Sequence, residues 1–238
     1  YKDQPQHVVQ EMLTDALWKN HQLGRPVIGR AETLKSMNRK NMPAYKKSKY
    51  VTTNTVFAFA GKVNHNVCVK NVKQLVGRLS RLSKPVYRLV TGTTAQNNVA
   101  MRSKDIQQTH AALGIRLFGR HDSRRYALRI LSVTLGENMS SRLFQIVREK
   151  HGLAYSISST CHLFNETGAL IISAGLDNKR QDKALKLIVK EIFKLRNRPI
   201  GVKELKRAKD YVIGQLRLGL ESTTNQMMWI GDNIMSYG

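Results

Sequence analysis

Apolar residues recur at helical spacing through much of the chain. In residues 6–19 they fall on one helical face, at Val9, Met12, Leu13, Ala16 and Leu17. The same periodicity predicts helices over residues 31–47, 65–82, 122–135, 140–150, 180–196, 202–220 and 223–236. We expect Pro43 to break the helix of residues 31–47, and Asn64 to cap the helix of residues 65–82.

Four stretches have the alternation or the β-branched and aromatic content of strands: residues 51–60, 108–118, 154–164 and 169–176. Asn165-Glu166-Thr167-Gly168 predicts a hairpin turn between the last two. From residue 108 onward the element order is β-α-α-β-β-α-α-α, which lacks the alternation of a parallel doubly wound sheet. The predicted fold class is therefore α+β, with an antiparallel or mixed sheet and helices packed on one face.

Between the two halves of the chain the periodicity disappears. This middle stretch is polar and contains Pro85, Gly92, Asn97 and Asn98, which is typical of a connection. We therefore predict a first unit over residues 1–82, a linker over residues 83–106 and a second unit over residues 107–238. The first unit has the pattern of the closing part of a similar domain.

The charge balance is strongly basic, with 40 Lys and Arg against 16 Asp and Glu among 238 residues, a net charge of +24. Such a charge attracts polyanions and steers acidic partners toward a protein. The basic residues are spread along the chain, without zinc-finger spacing or interleaved aromatic residues, so a nucleic-acid partner is not favoured. A solvated basic surface, acidic peptide substrates and a nucleic-acid partner remain as alternatives at this point.

Two cysteines and the absence of long apolar windows bear on the compartment. Cys68 and Cys161 form no motif, which favours a reducing compartment such as the cytoplasm. The sequence has no window of about 18 apolar residues, so no transmembrane segment is expected. The chain starts at Tyr1 without an initiator methionine, and we interpret it as a piece of a longer protein.

Residues 136–157 combine a turn, a helix and a strand entry, and they carry the most specific chemistry. Arg148 lies seven residues before Tyr155, and Gly152 between them is expected to end the helix in a left-handed conformation. A guanidinium and a phenol can both donate hydrogen bonds to the carbonyl groups of a bound peptide. Alternatively, Arg148 pairs with a nearby carboxylate and Tyr155 fills the face of the sheet.

Three segments together resemble the pitrilysin/insulinase family of zinc metallopeptidases. They are residues 1–29, residues 136–155, and residues 204–209 with Leu220-Glu221-Ser222 after them. The resemblance implies LuxS-like and processing-peptidase-like domains. Residues 1–82 would be the C-terminal part of the metal-bearing first domain, and residues 107–238 most of the substrate-holding second domain. Arg148 and Tyr155 match substrate-binding positions of that second domain.

The metal site of the family is missing from this sequence. The family holds zinc with an inverted H-x-x-E-H helix and a more distant glutamate. This chain has no such helix, and its histidines stand apart at residues 7, 21, 65, 110, 121, 151 and 162. Glu11, the carboxylate nearest the expected ligand position, is interpreted as an exposed helix residue. We therefore expect no catalytic residue and no metal ligand in this segment.

The resemblance implies part of a zinc-dependent metalloendopeptidase that hydrolyses peptides or unfolded polypeptides. This segment would supply the substrate-holding domain, be inactive alone, and depend on zinc bound elsewhere in the parent protein. The alternative is a non-catalytic peptide-binding or assembly subunit of the same family. The implied partners are a peptide substrate and a second family member in a homodimer or heterodimer.

Overall fold

The computed structural model of the chain describes residues 3–76, 82–90 and 99–238. Contacts between residues divide the chain into two compact units. Unit 1 comprises Tyr1–Val27 and Leu89–Ile213, and unit 2 comprises Ile28–Arg88 and Gly214–Gly238. The segments predicted from the sequence are consecutive domains along the chain, which is a different kind of division from these two contact-based units. The predicted domain boundaries therefore stay a prediction.

Unit 1 is built on a three-stranded antiparallel sheet in the order β1-β3-β2. The strands are β1 (Gln108–Phe118), β2 (Ala154–Leu163) and β3 (Thr167–Asp177). Each lies where the sequence predicts a strand; β3, the central strand, is buried on both faces, whereas the residues of β1 are only partly buried. Phe164, Asn165 and Glu166 connect β2 to β3, in agreement with the predicted hairpin.

Eight α-helices are formed by the residues that the structure describes. They are α1 (Pro5–Leu17), α2 (Ala31–Ser36), α3 (Asn41–Lys49), α4 (His65–Val76), α5 (Arg125–Ser132), α6 (Gln181–Asn197), α7 (Val202–Glu221) and α8 (Thr223–Tyr237). Two wider π-helical segments, Val133–Glu137 and Phe144–Lys150, follow α5. Helix α7 begins in unit 1 and continues into unit 2 at Gly214.

The core of unit 1 lies between the sheet and the helices. One face of β3 presents Leu170, Ile172, Ala174 and Leu176 to a buried cluster completed by residues such as Val147 and Ile188. The opposite face presents Ala169 and Ile171 to Leu17 and Trp18 at the end of α1. This architecture confirms the α+β class, and it adds one helix, α1, on the other face of the sheet.

Unit 2 contains α2, α3, α4, α8 and the second part of α7, with little burial. The strand predicted over residues 51–60 is wrong: Val51 forms an isolated bridge, Thr52–Asn54 is a short 3-10 helix, and residues 55–60 are irregular. Within the described part of unit 2 no strand pairs with this segment. High β-propensity does not form a strand without a hydrogen-bonded neighbour.

Of two helices predicted in unit 2, one is divided in the structure and the other begins where the sequence predicts. The helix of residues 31–47 is interrupted after Ser36, while Pro43 lies in the first turn of α3, where its missing N–H costs nothing. Asn64 caps α4 as predicted, because its Oδ1 accepts a hydrogen bond from the Val67 backbone N–H at 3.2 Å. The predicted continuation of α4 over residues 77–81 lies outside the described residues, as do residues 91–98 of the predicted linker 83–106.

Candidate functional site

Arg148 lies in the π-helical segment Phe144–Lys150, with its side chain 45% exposed. Its guanidinium carbon lies over the Phe144 ring, 4.7 Å from the ring centroid. The Nε atom lies 4.0 Å from Oε1 of Glu149. An ion pair this long and this exposed contributes little. The guanidinium is thus oriented mainly by Phe144, and its donors are available to a ligand.

Tyr155 is the extra residue of a β-bulge at the start of β2. The register runs from Ala154↔Leu176 directly to Ser156↔Gly175, which leaves Tyr155 without a partner in β3. Its side chain is 60% exposed, and its hydroxyl makes no hydrogen bond within the part of the chain that the structure describes. A bulge redirects a side chain away from the regular alternation. Tyr155 therefore does not fill the sheet face, and the phenol is open to solvent.

The turn between these two residues is fixed by backbone hydrogen bonds. Gly152 has φ of +56°, which confirms the predicted left-handed helix end. Its N–H donates to the carbonyl of Arg148 at 2.9 Å, and the N–H of Leu153 donates to the carbonyl of Val147 at 2.9 Å. One short turn therefore connects the backbone positions of Arg148 and Tyr155.

Arg180 holds this turn from a distant part of the chain. Its Nη2 donates to the carbonyl oxygen of Gly152 at 2.9 Å, and its Nε donates to Oδ2 of Asp177 at 2.9 Å. The backbone N–H of Lys179 and the Arg180 guanidinium both stabilise the charged Asp177 carboxylate, which lowers its pKa. Sequence reasoning missed this contact, because no local pattern links Arg180 to a glycine so far along the chain.

A second position that the sequence did not reveal is Gly136, which lies in the π-helical segment Val133–Glu137. A Cβ at this position would lie 2.8 Å from the backbone nitrogen of Ser159 in β2. Ser159 is fully buried, and its hydroxyl donates to the backbone carbonyl of Ser132 at 2.7 Å. The absence of a side chain at Gly136 thus allows the segment Val133–Glu137 to pack directly on β2.

The chemistry of a metal site does not fit this part of the protein. Among the described residues, no group of three or more His, Cys, Asp and Glu side chains could hold a metal ion. Glu11 is half-buried rather than exposed, and its Oε1 is buried without a hydrogen-bond partner among those residues. Burial raises the pKa of the Cys161 thiol, which disfavours the thiolate that would bind a metal.

None of the helices that the structure describes is long and apolar enough to cross a membrane. Cys68 and Cys161 are both free thiols.

Comparison with known sequences identifies the relatives of this chain. Residues 36–212 match the family model described as the peptidase M16 inactive domain. An uncharacterised zinc protease of Mycobacterium tuberculosis is 36% identical over 239 residues, covering 99% of this chain and 55% of the relative. A second uncharacterised zinc protease, YmxG of Bacillus subtilis, is 32% identical and covers 100% of this chain and 58% of the relative. The chain therefore spans little more than half the length of these relatives.

Solved structures show the same fold at lower sequence identity. A protease from Helicobacter pylori superposes with a TM-score of 0.86 at 19% identity, over 99% of this chain and 58% of that one. The peptidase M16 inactive domain of Pseudomonas fluorescens superposes with a TM-score of 0.84 at 19% identity, over 98% of this chain and 55% of that one. Together with the family-model match and the zinc protease relatives, these likenesses show that the chain belongs to the peptidase M16 family, the pitrilysin/insulinase family of zinc metallopeptidases.

Proposed function

We propose that this chain supplies the substrate-holding part of a zinc-dependent metalloendopeptidase that hydrolyses peptides or unfolded polypeptides. One observation carries the proposal: Arg148 and Tyr155 are two exposed hydrogen-bond donors at the two ends of one fixed turn. Membership of a family of zinc peptidases supports the same assignment.

The two side chains suit the backbone of a bound peptide. The Arg148 guanidinium offers several N–H donors and no acceptor, and Phe144 restricts its motion, which reduces the entropy lost on binding. The Tyr155 hydroxyl donates one hydrogen bond to a second carbonyl. If that carbonyl is the scissile one, the phenol also stabilises the negative charge that develops on its oxygen.

Zinc, its ligands and the general base would belong to residues of the parent protein outside this chain. The relatives are named zinc proteases, while no set of described residues here fits a metal ion. On this proposal, residues 1–82 are the C-terminal part of the metal-bearing domain, residues 83–106 a linker, and residues 107–238 most of the substrate-holding domain. The preference for a reducing compartment also stays a prediction.

The proposal is tested in the full-length parent protein by Arg148→Ala and Tyr155→Phe. We expect each change to lower kcat/KM by about tenfold or more, because a hydrogen bond to the reacting peptide is lost. The zinc content should be unchanged. Tyr126→Phe is the matched control, because Tyr126 is also exposed, at 67%, and lies in α5. Loss of zinc in either variant, or unchanged kcat/KM in both, would count against the holding role.

The isolated 238-residue chain should not cleave peptides, because it lacks the ligand set for zinc. The measurement is incubation of the pure chain with zinc and an unfolded polypeptide such as casein, with and without a chelator. Chelator-sensitive cleavage by this chain alone would show that the catalytic centre lies within it.

A second candidate function is a non-catalytic peptide-binding or assembly subunit, in a homodimer or heterodimer with a family member. It is favoured by one solved structure with this fold, a chain of Complex III2 from Candida albicans, with a TM-score of 0.83 at 18% identity. The superposition covers 100% of this chain and 58% of that chain. The upstream sequence of the parent decides between the two functions: an intact H-x-x-E-H helix means an enzyme, and a degraded one means a subunit.

A further inference from the structure

The positive charge of the chain is concentrated around helix α6. Residues 179–198 contain eight Lys and Arg against two acidic residues, Asp182 and Glu191, a net charge of +6. Glu191 is 2% exposed and forms an ion pair with Lys194, so it does not reduce the charge of the other surface lysines. This short segment therefore carries a quarter of the net charge of +24.

Three lysines of α6 share one side of the helix. At 3.6 residues per turn, Lys183, Lys186 and Lys190 lie within about 60° of one another around the helix axis. All three are exposed, and none makes an ion pair within the part of the chain that the structure describes. Asp182 is the one exposed carboxylate of α6. The three ammonium groups are thus presented together to solvent.

A shallow depression of about 570 Å³ lies against these lysines. Five of its seven lining residues are basic, namely Lys179, Arg180, Lys183, Lys186 and Lys190. Lysine binds phosphate groups as a point charge, without the fixed geometry of an arginine fork. A depression with this lining suits the phosphate of a headgroup whose orientation is free.

Two exposed apolar side chains accompany the lysines. Val189 is 39% exposed and Phe193 is 52% exposed. Both lie within about 60° of Lys186 around the helix axis, so they belong to the same face. Aromatic rings are favoured at the level of lipid headgroups, and lysine side chains can lie along apolar material while the charge stays in water. We call Lys183, Lys186, Val189, Lys190 and Phe193 the α6 face.

The composition of the α6 face favours a lipid surface over a nucleic acid. Duplex sequences are read mainly by arginine forks, and single strands bind to several aromatic rings in succession. The α6 face has lysines and one ring, and Val189 has no function beside a phosphate backbone. Basic residues clustered on a helix with exposed apolar residues are typical of proteins that bind anionic membranes.

We propose that the α6 face docks this protein on an anionic phospholipid surface. Helix α6 lies along the surface, its lysines contact lipid phosphates, and Phe193 enters the headgroup region. This docking involves neither Arg148 nor Tyr155, so it stands independently of the proposed peptide-holding function. It adds a location for the protein, at a membrane that it binds without crossing.

Co-sedimentation of the 238-residue chain with vesicles tests the proposal. The vesicles combine phosphatidylserine with phosphatidylcholine, at about 0.1 M salt, where charges act over about 10 Å. The triple variant Lys183→Ala, Lys186→Ala, Lys190→Ala should lower the partition coefficient about a hundredfold, because each lysine at such a surface strengthens binding about fivefold. Alanine has the highest helix propensity, so α6 should persist, as circular dichroism can verify.

The matched control removes the same charge from α3. Lys46, Lys47 and Lys49 are spread over about 160° of that helix, so they cannot face one surface together. Replacing all three with alanine should lower the partition coefficient by less than about threefold, because charges away from the lipid are screened. Equal losses in the two triple variants would assign the binding to net charge alone and overturn the proposal.

Phe193→Ser tests the apolar contribution separately. It should lower the partition coefficient about fivefold, because about half of the ring is open to be buried. This loss should persist at about 0.5 M salt, where the contribution of the lysines shrinks. Tyr45→Ser is its control, since Tyr45 is 62% exposed in α3. An unchanged partition coefficient in Phe193→Ser would contradict entry of the ring into the headgroup region.

Two further outcomes overturn the proposal. Equal binding to vesicles of pure phosphatidylcholine would show that exposed apolar side chains, and not lipid charge, hold the protein. Displacement of the protein from vesicles by a short DNA duplex at lower phosphate concentration, through the same three lysines, would identify a nucleic acid as the better occupant. Arg148→Ala should leave vesicle binding unchanged, so failure of the docking and failure of peptide holding are distinguishable.

Discussion

The two units of this chain contain similar helices but differ sharply in burial. In unit 1, the side chains of Leu135, Ile172, Leu176 and Ile188 are 0–1% exposed, and the sheet carries helices on both faces. In unit 2, Val51 is the one buried residue among those that the structure describes. Large apolar side chains there remain open, for example Leu75 at 79%, Leu218 at 64% and Trp229 at 50%.

This difference shows what helical periodicity does and does not decide. The helical pattern predicts α4, α6 and α8, and all three form. Only α6 places its apolar face on a sheet, where Ala184 and Ile188 become fully buried. A helical pattern therefore fixes the element and its apolar face, whereas burial depends on what the rest of the fold places opposite that face.

The same lesson holds for extended segments. Residues 51–60 and β3 both have strand-like sequences, yet only β3 is a strand, because it has β1 and β2 as hydrogen-bonded neighbours. Backbone N–H and C=O groups outside a helix need partners from elsewhere in the chain. A strand is thus a property of a sheet, which a single segment does not specify.

The largest expected contrast between the units is in core truncations. Leu176→Ala in unit 1 should lower the free energy of unfolding by about 3 kcal/mol, because Leu176 is fully buried against the helix layer. Leu218→Ala in unit 2 should change it by less than about 0.5 kcal/mol. Denaturant unfolding measures both variants. Similar losses at the two positions would mean that unit 2 is packed as well as unit 1.

The ion pair between Arg142 and Glu204 fastens the first part of α7 within unit 1. The guanidinium donates to both carboxylate oxygens, at 2.7 and 2.6 Å, and lowers the pKa of Glu204. Arg142→Ala should therefore cost about 2 kcal/mol at neutral pH. Lys206→Ala, which breaks the exposed pair with Asp210, is the control and should cost less than about 0.5 kcal/mol.

The pH dependence of this contact follows from the direction of the pKa shift. Because the folded state lowers the pKa of Glu204, the stabilisation is complete above the ordinary glutamate value of 4.5. It is lost as the pH falls from there through the lowered pKa. Unfolding measured across this range should show the loss in the native chain and much less of it in Glu204→Gln. An identical acid profile for the two would argue against the ion pair.

Glycine substitutions should have opposite signs in the two units. Gly136→Ala should destabilise unit 1 by about 1 to 2 kcal/mol, because the new Cβ would lie 2.8 Å from the backbone of Ser159. Gly214→Ala, in the middle of α7 with no atom near its Cβ, should stabilise the protein by about 0.5 to 1 kcal/mol. Thermal unfolding gives the sign of each change, and a stabilising Gly136→Ala would contradict the close packing.

The smallest expected effect concerns the turn before Tyr155. Arg180→Ala removes the hydrogen bond to the Gly152 carbonyl, which should speed amide exchange at Leu153 and weaken binding of an unfolded polypeptide such as casein about two- to fivefold. Lys179→Ala is the control, since it removes a neighbouring positive charge and keeps the backbone hydrogen bond to Asp177. Equal weakening by both variants would attribute the effect to charge alone.

Most of the local structure of this protein follows from patterns among neighbouring residues in the sequence. Helical periodicity located α1, α6, α7 and α8, alternation located the three strands, and Gly152 ended its helix in the predicted left-handed conformation. The motif of residues 136–155 also pointed to the family that the comparisons confirm. These features are predictable because neighbouring residues carry them, through dihedral preferences and the repeat of apolar positions.

How Arg148 and Tyr155 are presented depends on contacts between distant parts of the chain. The bulge at Tyr155, the Arg180 contact to Gly152, the approach of Gly136 to Ser159 and the placement of α1 on the second sheet face have no local pattern. The tertiary structure also leaves residues 51–60 without a strand partner among the described residues. Each of these depends on residues far apart in the chain meeting in space, and such pairings arise only when the whole unit packs.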